Sequence, residues 1–264
     1  MYDFNYHKPD AVADAVSLFN TCEDAMYLAG GHTLIPTMKQ RLRAPSDLID
    51  LSGIEMLGDI QQADDSILIG AAVTHSQVAE STVVADALPV LVSLASGIGD
   101  RQVRNRGTMG GSVANSDPAA DYPAAVLGLG ATIITDRREI SSDDFFLDMF
   151  ETALGEDELI TGIRFPTGIS AAYVKFPNPA SRYATVGVLV AKTATGVRVA
   201  VTGAAASVFR ATAMEEALGN DFSVDALAAV KVSEDDMNAD IHASAAYRAH
   251  LCGVMAARAV ALIA

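Results

Sequence analysis

Apolar residues Ala11, Val12, Ala15, Val16 and Phe19 recur at helical spacing behind Pro9-Asp10, which predicts a helix with Asp10 as its N-cap. Ala25–Leu28 reads as a short strand running into Ala29-Gly30-Gly31-His32-Thr33, and Leu34–Leu42 as a short helix despite Pro36. Strands follow at Asp47–Leu51 and Ile67–Val73, then a helical stretch at Val83–Ser96 interrupted at Pro89. Ile98–Asp121 holds Gly99, Gly107, Gly110, Gly111 and Pro118 without a sustained period, so it reads as a long irregular segment of the kind that carries function. A helix at Tyr122–Gly128, a strand at Ala131–Thr135, a polar break at Asp136–Asp144 and a strand at Leu159–Phe165 complete the first part.

Pro166-Thr167-Gly168 marks a linker, and the pattern changes after it. Ala171–Phe176, Ala184–Lys192 and Val197–Ala205 are spaced as a strand meander turning at Thr195-Gly196. Helices are expected at Ala211–Leu218, Val224–Ala229 and, long and Ala-rich, Asp240–Ile263. Strands followed by helices predict an α+β second domain.

Composition narrows the classes. The 264 residues carry 33 acids against 18 bases, a net charge of −15 that disfavours a general nucleic-acid binder. Half of the residues are hydrophobic, too many for a disordered chain. Two distant cysteines, Cys22 and Cys252, argue against a zinc site, a protein-held iron–sulfur cluster or a disulfide scaffold. Met1–Lys8 shows no signal-peptide pattern, and the longest apolar stretches, Ala87–Ile98 and Ala124–Thr135, fall short of a membrane span; a cytoplasmic location is expected.

Two segments carry candidate chemistry. In Ala29–Thr33, adjacent glycines between a strand and a helix start can bring backbone amides close to an anion, or make an ordinary tight turn. Thr108-Met109-Gly110-Gly111-Ser112 repeats the logic, with Asp121 downstream as an acceptor for ribose or polyol hydroxyls; Gly111 is expected at positive φ. The pair points to a dinucleotide, yet no Walker pattern or complete G-x-G-x-x-G supports a P-loop or Rossmann site. Lys39, Arg41 and Arg43 flank the first segment, and Arg101, Arg104 and Arg106 the second. They could balance a bound pyrophosphate, dock an acidic partner, or form a solvated face with local salt bridges. His32 is a plausible ligand contact, while His75 reads as the start of a helix.

The segments Ala29–Pro36, Gln102–Ser112 and Asp117-Pro118-Ala119-Ala120-Asp121, together with Ala246–Leu251, resemble the FAD-binding subunit of the molybdenum hydroxylases. These are the medium subunit of aerobic carbon monoxide dehydrogenase and the flavin subunit or domain of xanthine dehydrogenase. The resemblance implies an α+β fold. A two-subdomain FAD domain of the vanillyl-alcohol-oxidase/PCMH type would cover 1–166, divided near residue 53. A smaller α+β domain with a three-stranded sheet plus helices would cover 167–264.

It also implies FAD contacts at Leu28, Ala29, Gly30, Gly31, His32, Thr33, Leu34 and Ile35 in the first loop, and at Thr108, Gly110, Gly111 and Ser112 in the second. Asp121 would bind ribityl hydroxyls, Ile160 would lie near the adenine half, Ile98 and Gly99 would line the site, Lys175 would reach in from the second domain and Tyr183 would lie near the isoalloxazine. No catalytic acid or base and no metal ligand is implied. The implied partners are a molybdopterin-containing large subunit and a small subunit with 2Fe–2S clusters, in a heterotrimer that dimerises. Electrons would leave through FAD to an external acceptor. Two other readings stay open: a self-sufficient flavoprotein of the same fold, and a non-catalytic assembly protein.

Overall fold

The fold, taken from a computed structural model, is described for residues 1–263. Strands β1 (Asn5–His7), β2 (Ala25–Leu28) and β3 (Asp47–Asp50) form a parallel sheet in the order β1-β3-β2. The helix Val12–Thr21 crosses one face and buries Ala15 against Ala25, Ile49 and Leu51. Its N-cap is Ala11, with no side-chain cap, so Asp10 does not play the expected part.

The second sheet is antiparallel. Its strands β4 (Ile60–Gln62), β5 (Ser66–Gly70), β6 (Thr132–Thr135), β7 (Glu139–Ser141) and, late in the chain, β10 (Ile160–Pro166) lie in the order β4-β5-β10-β6-β7. Between them runs a small hairpin of β8 (Phe146–Asp148) and β9 (Glu151–Thr152). Short helices, including Thr82–Ala87, Pro89–Ser96 and Tyr122–Gly128, cover the sheet around a core of Ile67, Ile69, Leu91, Leu94, Ile133, Ile163 and Phe165.

Two expectations fail here. Ile98–Asp121 is not irregular throughout: Arg101–Arg104 and Met109–Asn115 are helices, capped by the side chains of Asp100 and Thr108 and too short to show a period. The supposed polar break at Asp136–Asp144 contains β7 and the helical turn Ser142–Phe145, whose Ile140 and Phe145 are buried.

The third sheet, β11 (Ser170–Pro177), β12 (Ala184–Thr193), β13 (Gly196–Thr202) and β14 (Phe209–Arg210), is an antiparallel meander. It has four strands rather than three, because the two-residue β14 adds to β13. Strand alternation splits β12 between two cores. Val186, Val188 and Val190 face the C-terminal helices, while Leu189 and Ala191 join the core of the preceding sheet.

The last helix runs Ala245–Ile263. It starts later than Asp240 because that carboxylate accepts from the His242 and Ala243 amides and shapes a turn instead. Val224–Ala229 forms only a single 3-10 turn, at Asp225–Leu227. Length and composition would let Ala245–Ile263 cross a membrane. In the fold its Leu251, Cys252, Met255, Ala256, Ala259 and Val260 are buried against the third sheet, at roughly 2 kcal/mol for each large side chain. Arg248 is buried with them; it donates to the carbonyls of Thr185 (2.6 Å) and Gly203 (2.7 Å) and to Asp240 (2.7 Å).

Candidate cofactor cleft

A cleft of about 750 Å³ runs where the three sheets meet. That volume lies within the range of small-molecule sites, roughly 300–1,000 Å³. Its floor is the turn after β2. Gly31 takes φ +71°, a left-handed conformation that glycine tolerates, and its carbonyl accepts from Ile35 (3.0 Å) to start the helix Leu34–Lys39. Among the described residues no acceptor meets the backbone N–H of Gly30, Gly31, His32, Thr33 or Leu34. Five successive free amides at a helix start can donate to an anion.

The second glycine segment lies directly on the first. A Cβ on Gly30 would stand 2.2 Å from the Arg106 carbonyl oxygen, so only glycine lets the two loops touch. The second loop is otherwise built differently from the sequence expectation. Gly110 donates to the Ala71 carbonyl (2.9 Å), and a Cβ there would meet Ala71 Cβ at 2.5 Å. Gly111 donates to Thr108 Oγ1 (3.2 Å) and sits in the helix Met109–Asn115, not at positive φ. Its glycines therefore serve packing and capping. What this loop offers the cleft is the Thr108 and Ser112 hydroxyls.

Leu28, Ala29, Gly30, Gly31, His32, Thr33, Leu34, Ile98, Gly99, Thr108, Gly110, Gly111, Ser112, Asp121, Ile160 and Tyr183 all line this one cleft. Ile35 and Lys175 do not. Ile35 backs Gly31, its Cγ1 2.9 Å from where a Cβ on that glycine would stand. Lys175 reaches across from β11 and donates to Asp121 (3.0 Å) and to the Gly97 carbonyl (2.9 Å). Asp121 is buried and also accepts from the Tyr173 hydroxyl. Burial pushes its carboxyl above the usual range, while Lys175 and Tyr173 pull it back.

Sequence reasoning missed several members. His75 lines the cleft, 5 % exposed, its ring 5.3 Å from Tyr122. Its Nδ1 and the Tyr122 hydroxyl have no partner among the described residues. Burial, with His32 and Arg104 nearby, lowers its pKa to about 4, so it is neutral at pH 7. Thr74 and Gln77 form a complete capping box around it, which read in sequence only as a helix start. Tyr173 gave no signal beyond a strand aromatic. Arg182 donates to the Gly99 carbonyl (3.1 Å) and Arg104 to the Ile98 (2.9 Å) and Gly99 (3.2 Å) carbonyls, so two cations hold this bend.

The basic clusters make no local salt bridges. Among the described residues Lys39, Arg41, Arg43, Arg101, Arg104 and Arg106 have no carboxylate within 4 Å, whereas Arg137, Arg138, Arg164, Arg198, Arg210 and Arg248 are all paired. Of these six cations, Arg43 lines the cleft itself.

Free amides, hydroxyls and a cleft of this volume fit a dinucleotide with a diphosphate. Residues 2–168 match the family model described as the FAD binding domain in molybdopterin dehydrogenase, and residues 171–263 the CO dehydrogenase flavoprotein C-terminal domain. The chain belongs to the FAD-binding medium subunits of the molybdenum hydroxylases, and its cofactor is FAD. It is 34% identical to the carbon monoxide dehydrogenase medium chain of Hydrogenophaga pseudoflava, over 97% of this chain and 96% of that one. It is 35% identical to the nicotine 6-hydroxylase medium subunit of Paenarthrobacter nicotinovorans, over 92% and 91%. A solved chain of reconstituted CO dehydrogenase from Oligotropha carboxidovorans superposes with a TM-score of 0.91 at 34% identity, covering 99% of this chain and 97% of that one. These relatives are oxidoreductase subunits of multi-subunit enzymes, and so is this chain.

Proposed function

We propose that this chain is the electron-relay subunit of a cytoplasmic molybdenum hydroxylase. It would take electrons from 2Fe–2S clusters on a small subunit, after substrate oxidation on a molybdopterin-containing large subunit, and pass them to an external acceptor. When bound, FAD supplies the redox chemistry. The chain's residues bind and orient it. The free amides of Gly30–Leu34 hold the diphosphate, helped by Thr108 and Ser112. Asp121, held by Lys175 and Tyr173, accepts from ribityl hydroxyls. Ile160 flanks the adenine half, Ile98 and Gly99 line the middle, and Tyr183 shields the isoalloxazine end. The boundary between an FAD domain and a C-terminal domain falls between β10 and β11.

The observation that carries this reading is the run of five unpaired amides in a cleft that Arg43 and Arg182 also line. An acidic iron–sulfur subunit would dock on the exposed Arg101 and Arg106 beside the second loop. Arg104 is unsuited to that role, since it is turned inward onto Ile98 and Gly99.

The test is stopped-flow reduction of the flavin by the reduced small subunit. Arg101→Glu with Arg106→Glu should slow it at least tenfold at low salt and much less at high salt, with FAD content unchanged. Equal rates at both salts would remove the docking assignment. Flavin reduction by an organic substrate with this chain alone would remove the relay reading.

A further inference from the structure

Away from the cleft, one end of the N-terminal helix–sheet unit gathers three side chains of different donor chemistry. His7 ends β1, Asp47 begins β3, and Cys22 is the C-cap residue of the helix Val12–Thr21. Parallel pairing sets Asn5 beside Asp47, so His7, two residues along the same face, leans back onto that carboxylate. His7 Nε2 stands 2.7 Å from Asp47 Oδ1. One donor atom from each of the three lies within 4.8 Å of the other two. Asp47 is buried, while His7 and Cys22 are half-buried, and a shallow hollow beside His7, Asp14 and Leu18 opens to solvent.

We propose that His7, Cys22 and Asp47 form a binding site for one divalent ion of the zinc type. Nitrogen, thiolate and carboxylate are the ligands zinc takes, at roughly 2.0–2.3 Å, which spaces neighbouring donors about 3.3–3.8 Å apart. Closing from the present spacing needs a shift of about 1 Å in side chains, with the backbone fixed by a helix end and two paired strands. A thiolate and a carboxylate carry two negative charges, so the dication leaves the buried site neutral. The sulfur disfavours Mg²⁺ and Ca²⁺, which want oxygen alone. Three protein ligands leave a fourth position for water from the hollow.

The carboxylate is already braced for this role. Ser46 Oγ donates to Asp47 Oδ2 (2.6 Å) and Asn5 Nδ2 to Oδ1 (3.1 Å), an outer support that fixes a ligand's direction. Among the described residues its only ion-pair partner is His7, with no lysine or arginine to compete. The ion would displace the thiol proton of Cys22 on binding. None of the three residues lines the cofactor cleft, so the site is structural, clamping β1, β3 and the helix end.

The test uses the full chain with FAD bound, stripped by chelator and titrated with Co²⁺. One Co²⁺ per chain should bind with a near-ultraviolet thiolate-to-cobalt band, and Zn²⁺ should displace it. Cys22→Ser should abolish the band, His7→Asn should weaken binding at least tenfold, and Cys252→Ser should change nothing, with FAD content constant throughout. Should Cys22→Ser misfold, the wild type decides: Zn²⁺ should slow alkylation of Cys22 at least tenfold. Absence of the band from folded protein, its survival in Cys22→Ser, or alkylation indifferent to Zn²⁺ would overturn the proposal and leave a hydrogen-bonded cluster.

Discussion

Replacing Gly30 with alanine separates a backbone anion cradle from an ordinary tight turn. The new Cβ would stand 2.2 Å from the Arg106 oxygen and 2.8 Å from Arg106 C and Gly107 Cα. All three are backbone atoms, so no rotamer can relieve the contact. The loops must part by about 1 Å, and overpacking of this sort costs about 1–3 kcal/mol of stability. The effect on the cofactor is larger. Moving the turn misaims the amides of Gly30–Leu34, and a hydrogen bond to a charged group is worth about 1.5–3 kcal/mol. Losing two of them costs about 3–6 kcal/mol, or roughly 10²–10⁴ in FAD affinity.

Gly111→Ala is the matched comparison. Its Cβ would crowd Thr108 Oγ1 (2.8 Å), a side-chain atom, and make ordinary contact with Ala29 Cβ (3.9 Å), and its own amide is already capped. The FAD affinity should fall there by about tenfold at most, one misplaced hydroxyl contact being worth about 1 kcal/mol. Gly219→Ala, with nothing within 4 Å, should leave binding untouched. The assay is FAD titration of apoprotein by flavin fluorescence, beside thermal unfolding with and without FAD. If Gly30→Ala binds FAD within threefold of wild type, or Gly111→Ala loses more than Gly30→Ala, the first loop is not the phosphate cradle.

Other outcomes follow from the same contacts. Lys175→Met strands a buried Asp121, which should cost about 3–5 kcal/mol in urea unfolding at pH 7; adding Asp121→Asn should restore part of it, and a double variant no better than the single would refute the pairing. His75 is held near pH 4 in the fold against about 6.5 unfolded, so protons favour the unfolded state and its contribution is lost as pH falls from about 6.5 to about 4; His75→Phe should flatten the stability curve there. Glu158, held near pH 2 chiefly by Arg138, contributes above about pH 4.5 and loses that contribution as pH falls towards 2, so Glu158→Gln should flatten only the acid limb. Native alkylation should label Cys22 alone, since Cys252 is fully buried with its thiol pushed up to about 12; a second label without denaturant would contradict the core assignment.

Local pattern determined much of this molecule. Hydrophobic period and turn residues placed the helix after Pro9, the strands at Ala25–Leu28 and Ala184–Lys192, and the meander turn at Thr195-Gly196, because these depend on neighbours a few residues away. The first glycine segment was legible for the same reason: a strand, two glycines and a helix start act within one short stretch. Only the tertiary structure decided what each segment does. β10 enters the middle of the second sheet, between β5 and β6, and no local preference encodes that choice. Gly30 is required by the Arg106 carbonyl, 76 residues away along the chain, whereas Gly110 and Gly111 answer to Ala71 and Thr108. Arg104 and Arg106 read alike in sequence, yet one is pinned inward on Gly99 and the other stays exposed. His75 looked like a helix start because its capping box is local, while its orphaned ring nitrogen arises from burial beside Tyr122, a contact between distant segments. Secondary structure comes from short-range sterics and hydrogen bonding, but desolvation and close approach exist only once remote segments meet.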